Sequence, residues 1–203
     1  MNNPKYWYFL IPSLMALLVW LAFFWQPEAN REPAHNELPI AEAPKGGDFT
    51  LQSPSGPVSL ADHRGKVVLL YFGYTFCPDV CPTSLAAIAQ ALSGLAPAEL
   101  DRVAAFFITV DPERDTLDVL KTYIPYFHPR LAGLTGTPDQ IAAVAQRYGV
   151  RYMKQKPDAN GLYSVDHSAS TYLIDRNGQL AGTLPHGLPP QQMLERIRTL
   201  LKP

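Results

Sequence analysis

Sulfur is scarce in this chain: its 203 residues include two cysteines, Cys77 and Cys81, so any thiol or soft-metal chemistry has to run through that one pair. A surplus of charge is missing as well. Lys and Arg total 17 against 18 Asp and Glu, and from Asp48 to the end the balance is 14 against 14. With no excess positive charge to neutralise phosphates, nucleic acid is not expected as a partner. The length leaves no room for a second large core, so one folded unit of ordinary size plus a tail is expected. From Asp48 onward there is no internal repeat or low-complexity segment.

Charge is absent altogether from Tyr6 to Trp25, a run of 20 residues broken only by Pro12 and Ser13. As a helix it would rise about 30 Å, the thickness of a bilayer's hydrocarbon core. Tyr6, Trp7 and Tyr8 at one end and Phe23, Phe24 and Trp25 at the other supply interfacial aromatics, and Lys5 precedes the span. A cleavable signal peptide would carry a shorter apolar core and a small-residue cleavage site, which Phe23-Phe24-Trp25-Gln26-Pro27 does not offer. Residues 1–25 therefore read as a single N-terminal transmembrane anchor, with the positive end inside and the rest of the chain on the non-cytoplasmic side, the periplasm if the source is bacterial. Residues 26–47, with Pro27, Pro33, Pro39 and Pro44, read as an extended linker.

The head, residues 48–203, opens with a strand-turn-strand pattern around Ser53-Pro54-Ser55-Gly56-Pro57. Lys66 to Gly73 is a continuous apolar run, as expected of a central strand covered on both faces. Pro82 can open a helix whose apolar positions are Leu85, Ile88, Ala89 and Leu92. Arg102 to Val110 is a second buried strand, and Leu131 to Leu134 is short and apolar. Asp115-Thr116 and Thr137-Pro138 are helix starts, and Gly149 is a stop. A hairpin over Ser170 to Leu184 turns at Asp175-Arg176-Asn177-Gly178, and Pro189 to Leu201 is a closing helix. The order predicts an α/β sandwich with a mixed central sheet. A cysteine pair just past the first long strand, at a helix start, resembles the thioredoxin fold. The spacing departs from thioredoxin oxidoreductases, which place two residues between their cysteines; here Pro78, Asp79 and Val80 make three.

Pro78 and Pro82 disfavour helical geometry at the residue before each, so the pair is expected on a turn with Cys81 near the helix start, where the helix dipole favours a thiolate. A purely structural disulfide would close a five-residue loop and gain little. Two thiolates leave a soft ion under-coordinated, and a third ligand is sought among five histidines. His35 lies in the linker, and His63, His128 and His186 lie in polar or Pro/Gly-rich loops and read as surface residues. His167 enters the late strand Ser170 to Ile174, whose start faces the cysteine loop in a thioredoxin-like sheet; it is read equally as a ligand or a local histidine. No proline lies between Pro157 and Pro185, so the cis-proline usual in thioredoxins is missing. Asp79 or Asp111 could tune the thiols, but Asp111 to Asp115 reads first as turn and helix-cap chemistry. Alternation along an extended segment points Asp166 away from His167.

Three separated motifs, Tyr71 to Pro82 (YFGYTFCPDVCP), Thr109 to Thr116 (TVDPERDT) and Val165 to Ser168 (VDHS), together resemble the SCO/SenC family of copper-binding assembly factors. The resemblance covers the head from about Asp48. It implies that Cys77, Cys81 and His167 are copper ligands, and that the chain is a membrane-anchored copper chaperone that matures the binuclear copper (CuA) centre of cytochrome c oxidase. It also implies a copper-receiving oxidase subunit and a copper donor as partners. Two thiolates and an imidazole suit Cu(I), and an added oxygen or nitrogen ligand would let the site tolerate Cu(II). Zinc in a Cys2His set ranks below copper because nothing else suggests zinc hydrolysis.

A second class of function remains open: a thiol-disulfide oxidoreductase using Cys77 and Cys81 as a redox-active disulfide, or a peroxiredoxin-like antioxidant. An oxidising compartment drives the pair toward a disulfide that cannot bind copper as two thiolates, so a copper role also requires a thiol reductant protein.

Overall fold

The computed structural model describes residues 7–24 and 44–202. The chain divides into two compact units, Met1–Glu37 and Leu38–Pro203. In the first, helix α1 (Trp7–Phe24) is 18 residues long and contains Pro12. It lies within the charge-free run and rises about 27 Å. Among the described residues, no helix is long and apolar enough to cross a membrane. Most of the linker, including His35, lies outside the described residues.

The second unit is built on a five-stranded mixed sheet. Strands β1 (Thr50–Ser53) and β2 (Gly56–Ser59) form the expected antiparallel hairpin at its border. The sheet comprises β3 (Val67–Gly73), β4 (Val103–Thr109), β5 (Leu131–Leu134), β8 (Thr171–Ile174) and β9 (Leu180–Leu184), in the order β5-β4-β3-β8-β9. Strands β3, β4 and β5 run parallel, whereas β8 and β9 are antiparallel to their neighbours. Every residue of β3 is buried, which is why its sequence shows no alternation.

Helices α2 (Val80–Ser93), α3 (Pro97–Leu100), α4 (Leu117–Tyr123), α5 (Pro138–Arg147) and α6 (Pro190–Leu201) cover the sheet. The helix starts follow the sequence. Thr116 accepts from the Val119 amide, and Thr137 forms a capping box with Gln140. Gly149 closes α5 at φ +64°, a conformation open to glycine. One feature was not expected. Strands β6 (Tyr152–Lys154) and β7 (Val165–His167) pair antiparallel as a ribbon of their own, separate from the main sheet. The mixed sheet and α/β layering agree with the thioredoxin-like expectation.

Candidate metal centre

The segment that follows the central strand carries the first two candidate ligands. Strand β3 ends at Gly73, the chain turns, and the Cys77 amide donates to the Tyr74 carbonyl at 3.3 Å. Helix α2 then starts at Val80, two residues before the expected Pro82, with Asp79 as an N-cap that makes no side-chain cap bond. Cys81 is therefore already helical despite the proline that follows it. Pro82 is tolerated because the first-turn N–H groups of a helix have no intrahelical acceptor to lose.

Gly73 is part of this arrangement in a way the sequence did not reveal. A Cβ at that position would sit 2.7 Å from Cys81 Sγ, 3.0 Å from Tyr71 Cε1 and 3.1 Å from Phe107 Cε2. The missing side chain is the space the sulfur occupies.

His167 supplies the third donor, but from a different element than expected. It ends β7, opposite Tyr152, and does not run into β8, which begins only at Thr171. The ribbon still carries the ring over the cysteine loop. Its Nε2 lies 3.2 Å from Cys81 Sγ. The donor atoms of Cys77, Cys81 and His167 all lie within 4.8 Å of one another, and both cysteines are free thiols. Two sulfurs and one imidazole nitrogen converging at this range fit a single soft or borderline ion.

The imidazole is fixed in orientation and tautomer. Its Nδ1 is 3.0 Å from the Ser168 carbonyl oxygen, which can only accept, so Nδ1 carries the proton and the Nε2 lone pair faces the sulfurs. Tyr71 and Tyr74 meet the ring edge-on, at centroid distances of 6.3 and 5.8 Å. Burial lowers the His167 pKa and so favours the neutral, ligating form. Burial likewise pushes the Cys81 thiol up, against the expectation of a helix-stabilised thiolate. Cys81 is fully buried, and the cost of desolvating an anion there outweighs the helix end. A bound cation reverses that balance.

The Asp111 to Asp115 segment does more than turn and cap. Arg114 and Asp115 amides do donate to the Asp111 carbonyl, but Thr116 is the cap, and both carboxylates are fully buried. Asp115 accepts from the Thr75 amide at 3.0 Å, the Thr75 hydroxyl at 2.5 Å and the Thr109 hydroxyl at 2.6 Å. It thereby ties the cysteine loop to the end of β4. Asp111 accepts from Arg114, from the Tyr163 hydroxyl at 3.0 Å and from Lys154 at 3.2 Å. The Arg114 guanidinium stacks 3.7 Å from the Tyr163 centroid and donates to the Tyr163 carbonyl at 2.8 Å. Its carbon is also 5.0 Å from the Phe76 centroid and 5.5 Å from that of Tyr74. One buried acid and one arginine therefore bracket the cysteine loop against the segment leading into β7.

The remaining candidates stand apart. Asp79 is exposed, and Asp166 accepts from Gln155 at 2.6 Å, consistent with pointing away. His63 packs on Phe106, His128 accepts from the Arg130 amide, and His186 bonds Ser84 at 2.9 Å. Among the described residues, Cys77, Cys81 and His167 are the group that could hold a metal ion.

The SCO1/SenC family model matches residues 39–202. The chain belongs to the SCO1/SenC family. Its SCO relatives include the mitochondrial SCO2 homolog of Bos taurus, 40% identical over 181 residues, covering 88% of this chain and 68% of that protein. Mitochondrial SCO2 of Saccharomyces cerevisiae is 41% identical over 175 residues, covering 85% and 56%. Among solved structures, copper-bound ScoI of Bradyrhizobium japonicum superposes with TM-score 0.71 at 40% identity, covering 77% of this chain and 99% of its own. Copper-bound yeast Sco1 gives TM-score 0.69 at 33% identity, covering 77% and 87%. The family match spans the sheet, the cysteine loop and the ribbon alike.

Proposed function

We propose that this SCO-family chain is a membrane-anchored copper chaperone that carries one copper ion on Cys77, Cys81 and His167 and delivers it to the CuA-bearing subunit of cytochrome c oxidase. The observation that carries the reading is the convergence of two free thiols and one Nε2 lone pair, brought by two distant segments of the chain to within 4.8 Å. Copper-bound relatives of the same fold at 33–40% identity support copper as the cargo. The donor set is soft, so Cu(I) is the preferred ion, with Cu(II) accommodated through the imidazole and an added ligand. In this three-donor site, stepwise ligand exchange can pass the ion to a receiving thiolate without releasing it to water.

The tether belongs to the proposal. The charge-free run from Tyr6 to Trp25 holds the chain at the membrane, with residues 26–47 as linker and the head from residue 48 on the non-cytoplasmic side. Oxidation of Cys77 and Cys81 to a disulfide removes both sulfur donors, so a partner dithiol must reduce it, becoming a disulfide itself in the exchange. The partners are thus a copper donor, a thiol reductant and the receiving subunit.

Anaerobic titration of the reduced chain tests the reading. One copper per chain is expected, with Cys77→Ser or Cys81→Ser abolishing tight Cu(I) binding and His167→Ala weakening Cu(II) binding most. Full-strength copper binding in all three variants would overturn it. For the tether, alkaline carbonate extraction should leave the chain in the membrane pellet, and deletion of residues 1–25 should release it.

A further inference from the structure

Beside the cysteine loop lies an open groove of about 510 Å³, lined by Thr75, Phe76, Asp118, Val119, Tyr123 and Tyr126. Two of its walls are large aromatics left in solvent: Phe76 is 59% exposed and Tyr126 83%. Phe76 is not loose, because the Arg114 guanidinium backs its ring at 5.0 Å and Arg114 is itself held by buried Asp111. Leu117, on the same helix as Val119, is 40% exposed. A soluble head has no stability reason to pin a phenylalanine outward next to its reactive loop, and contiguous exposed apolar surface marks interaction sites.

We infer that this groove is the docking site for the protein that takes the copper, a partner presenting an apolar side chain beside a basic residue close to its own metal-ligating thiols. The inference rests on the copper-carrier reading. Three observations commit the groove to that occupant. Phe76 is both a groove wall and the residue before Cys77, so a chain seated in the groove lies directly against the cysteine loop. Cys81 is fully buried and Cys77 nearly so, so an incoming thiolate needs a fixed approach to the ion. The groove's charged lining residue is the carboxylate of Asp118, exposed on α4, which complements a cation on the partner.

The test uses the full chain in detergent, loaded with one Cu(I), and the purified apo CuA domain of the oxidase from the same source as the acceptor. Loading is measured first; a wild-type chain that takes no copper refutes the carrier reading and with it this inference. Once loaded, wild type should transfer copper with saturation in acceptor concentration. Phe76→Ser, Val119→Asp and Tyr126→Ser should each raise the half-saturating concentration about tenfold or more, as expected for loss of a central anchor. Val119→Asp and Tyr126→Ser, which lie outside the cysteine loop and its Arg114 brace, should lose copper to bathocuproine, a small chelator needing no groove, at the wild-type rate. Asp118→Asn should flatten the dependence of half-saturation on salt. Unchanged half-saturation in the variants, or no saturable transfer from the loaded wild type, overturns the inference. A p-benzoylphenylalanine placed at position 126 gives a second readout. Crosslinking to the acceptor supports the inference; crosslinking to residues 26–47 of the same chain or to a second copy overturns it.

Discussion

Cys81 Sγ and His167 Nε2 lie 3.2 Å apart although 86 residues separate them in the chain. The contact is set from both sides. Gly73 leaves the sulfur its space, and the Ser168 carbonyl turns the ring so that its lone pair faces the sulfur.

Gly73→Ala should damage the site more than its size suggests. The new methyl would stand 2.7 Å from Cys81 Sγ and near two aromatic rings that are themselves buried, so the sulfur has to move. The expected cost is about 1–3 kcal/mol in stability, typical of overpacking. Urea unfolding of the metal-free chain measures that cost, and competition with a Cu(I) chelator should show weakened copper affinity. Wild-type values in both measurements would mean the sulfur does not need that space.

Asp115→Ala should destabilise the fold by about 2–4 kcal/mol, because it removes hydrogen bonds to a buried carboxylate and leaves the buried Thr109 hydroxyl proton without its acceptor. Burial holds the Asp115 pKa above its ordinary value, opposed by the hydrogen bonds from Thr109 and Thr75. The folded state therefore binds a proton more readily than the unfolded one between pH 3.8 and the raised pKa. Across that window Asp115's contribution falls as pH rises. Asp115→Asn, which needs no ionisation, should lose that pH dependence in denaturant titrations.

Arg114→Met should separate the two halves of the ligand set. The guanidinium brackets Phe76 and Tyr74 on the cysteine loop against Tyr163 on the way to His167. Without it, Cu(I) held by the two sulfurs should survive, while nitrogen superhyperfine coupling from His167 in the Cu(II) electron paramagnetic resonance spectrum should weaken. Arg114→Lys should restore it only in part, since lysine cannot both stack and donate in a fork. Identical spectra in all three proteins would assign Arg114 to stability alone.

The imidazole should stay available as a ligand under mildly acid conditions. Burial lowers the His167 pKa from 6.5, so below pH 6.5 the unfolded chain takes up a proton that the folded chain does not. The slope of stability with pH is positive in that window: His167's contribution is lost as pH falls from 6.5 to the lowered pKa. NMR titration of the His167 ring in the metal-free protein should give a midpoint below 6.5, and His167→Gln should remove this part of the acid sensitivity. A midpoint at or above 6.5 would contradict the burial argument.

Much of this arrangement was legible in the chain itself, for definable reasons. The seven buried residues of β3 carry the unbroken apolar run of a central strand, and Thr116 and Thr137 are side chains whose capping chemistry is local. The cysteine pair announced itself by rarity and by its place after that strand. What escaped was everything set by distant packing. The three-residue strand β6 has too little sequence to show a period, so His167 was placed in the wrong element. The inward turn of Asp111 and Asp115 depends, beyond the nearby Thr109, on Thr75, Lys154 and Tyr163, all distant in the chain. Gly73 looked like the end of a strand, and only the position of Cys81 gives its missing side chain a purpose.

The separate β6–β7 ribbon has a mechanical corollary. Because no ladder joins it to the five-stranded sheet, the position of His167 over the cysteines rests on side-chain ties, Arg114 and Asp111 to Tyr163 foremost. For the proposed copper carrier, this puts the hold of the nitrogen donor under the control of a few side chains, apart from the scaffold that seats the sulfurs.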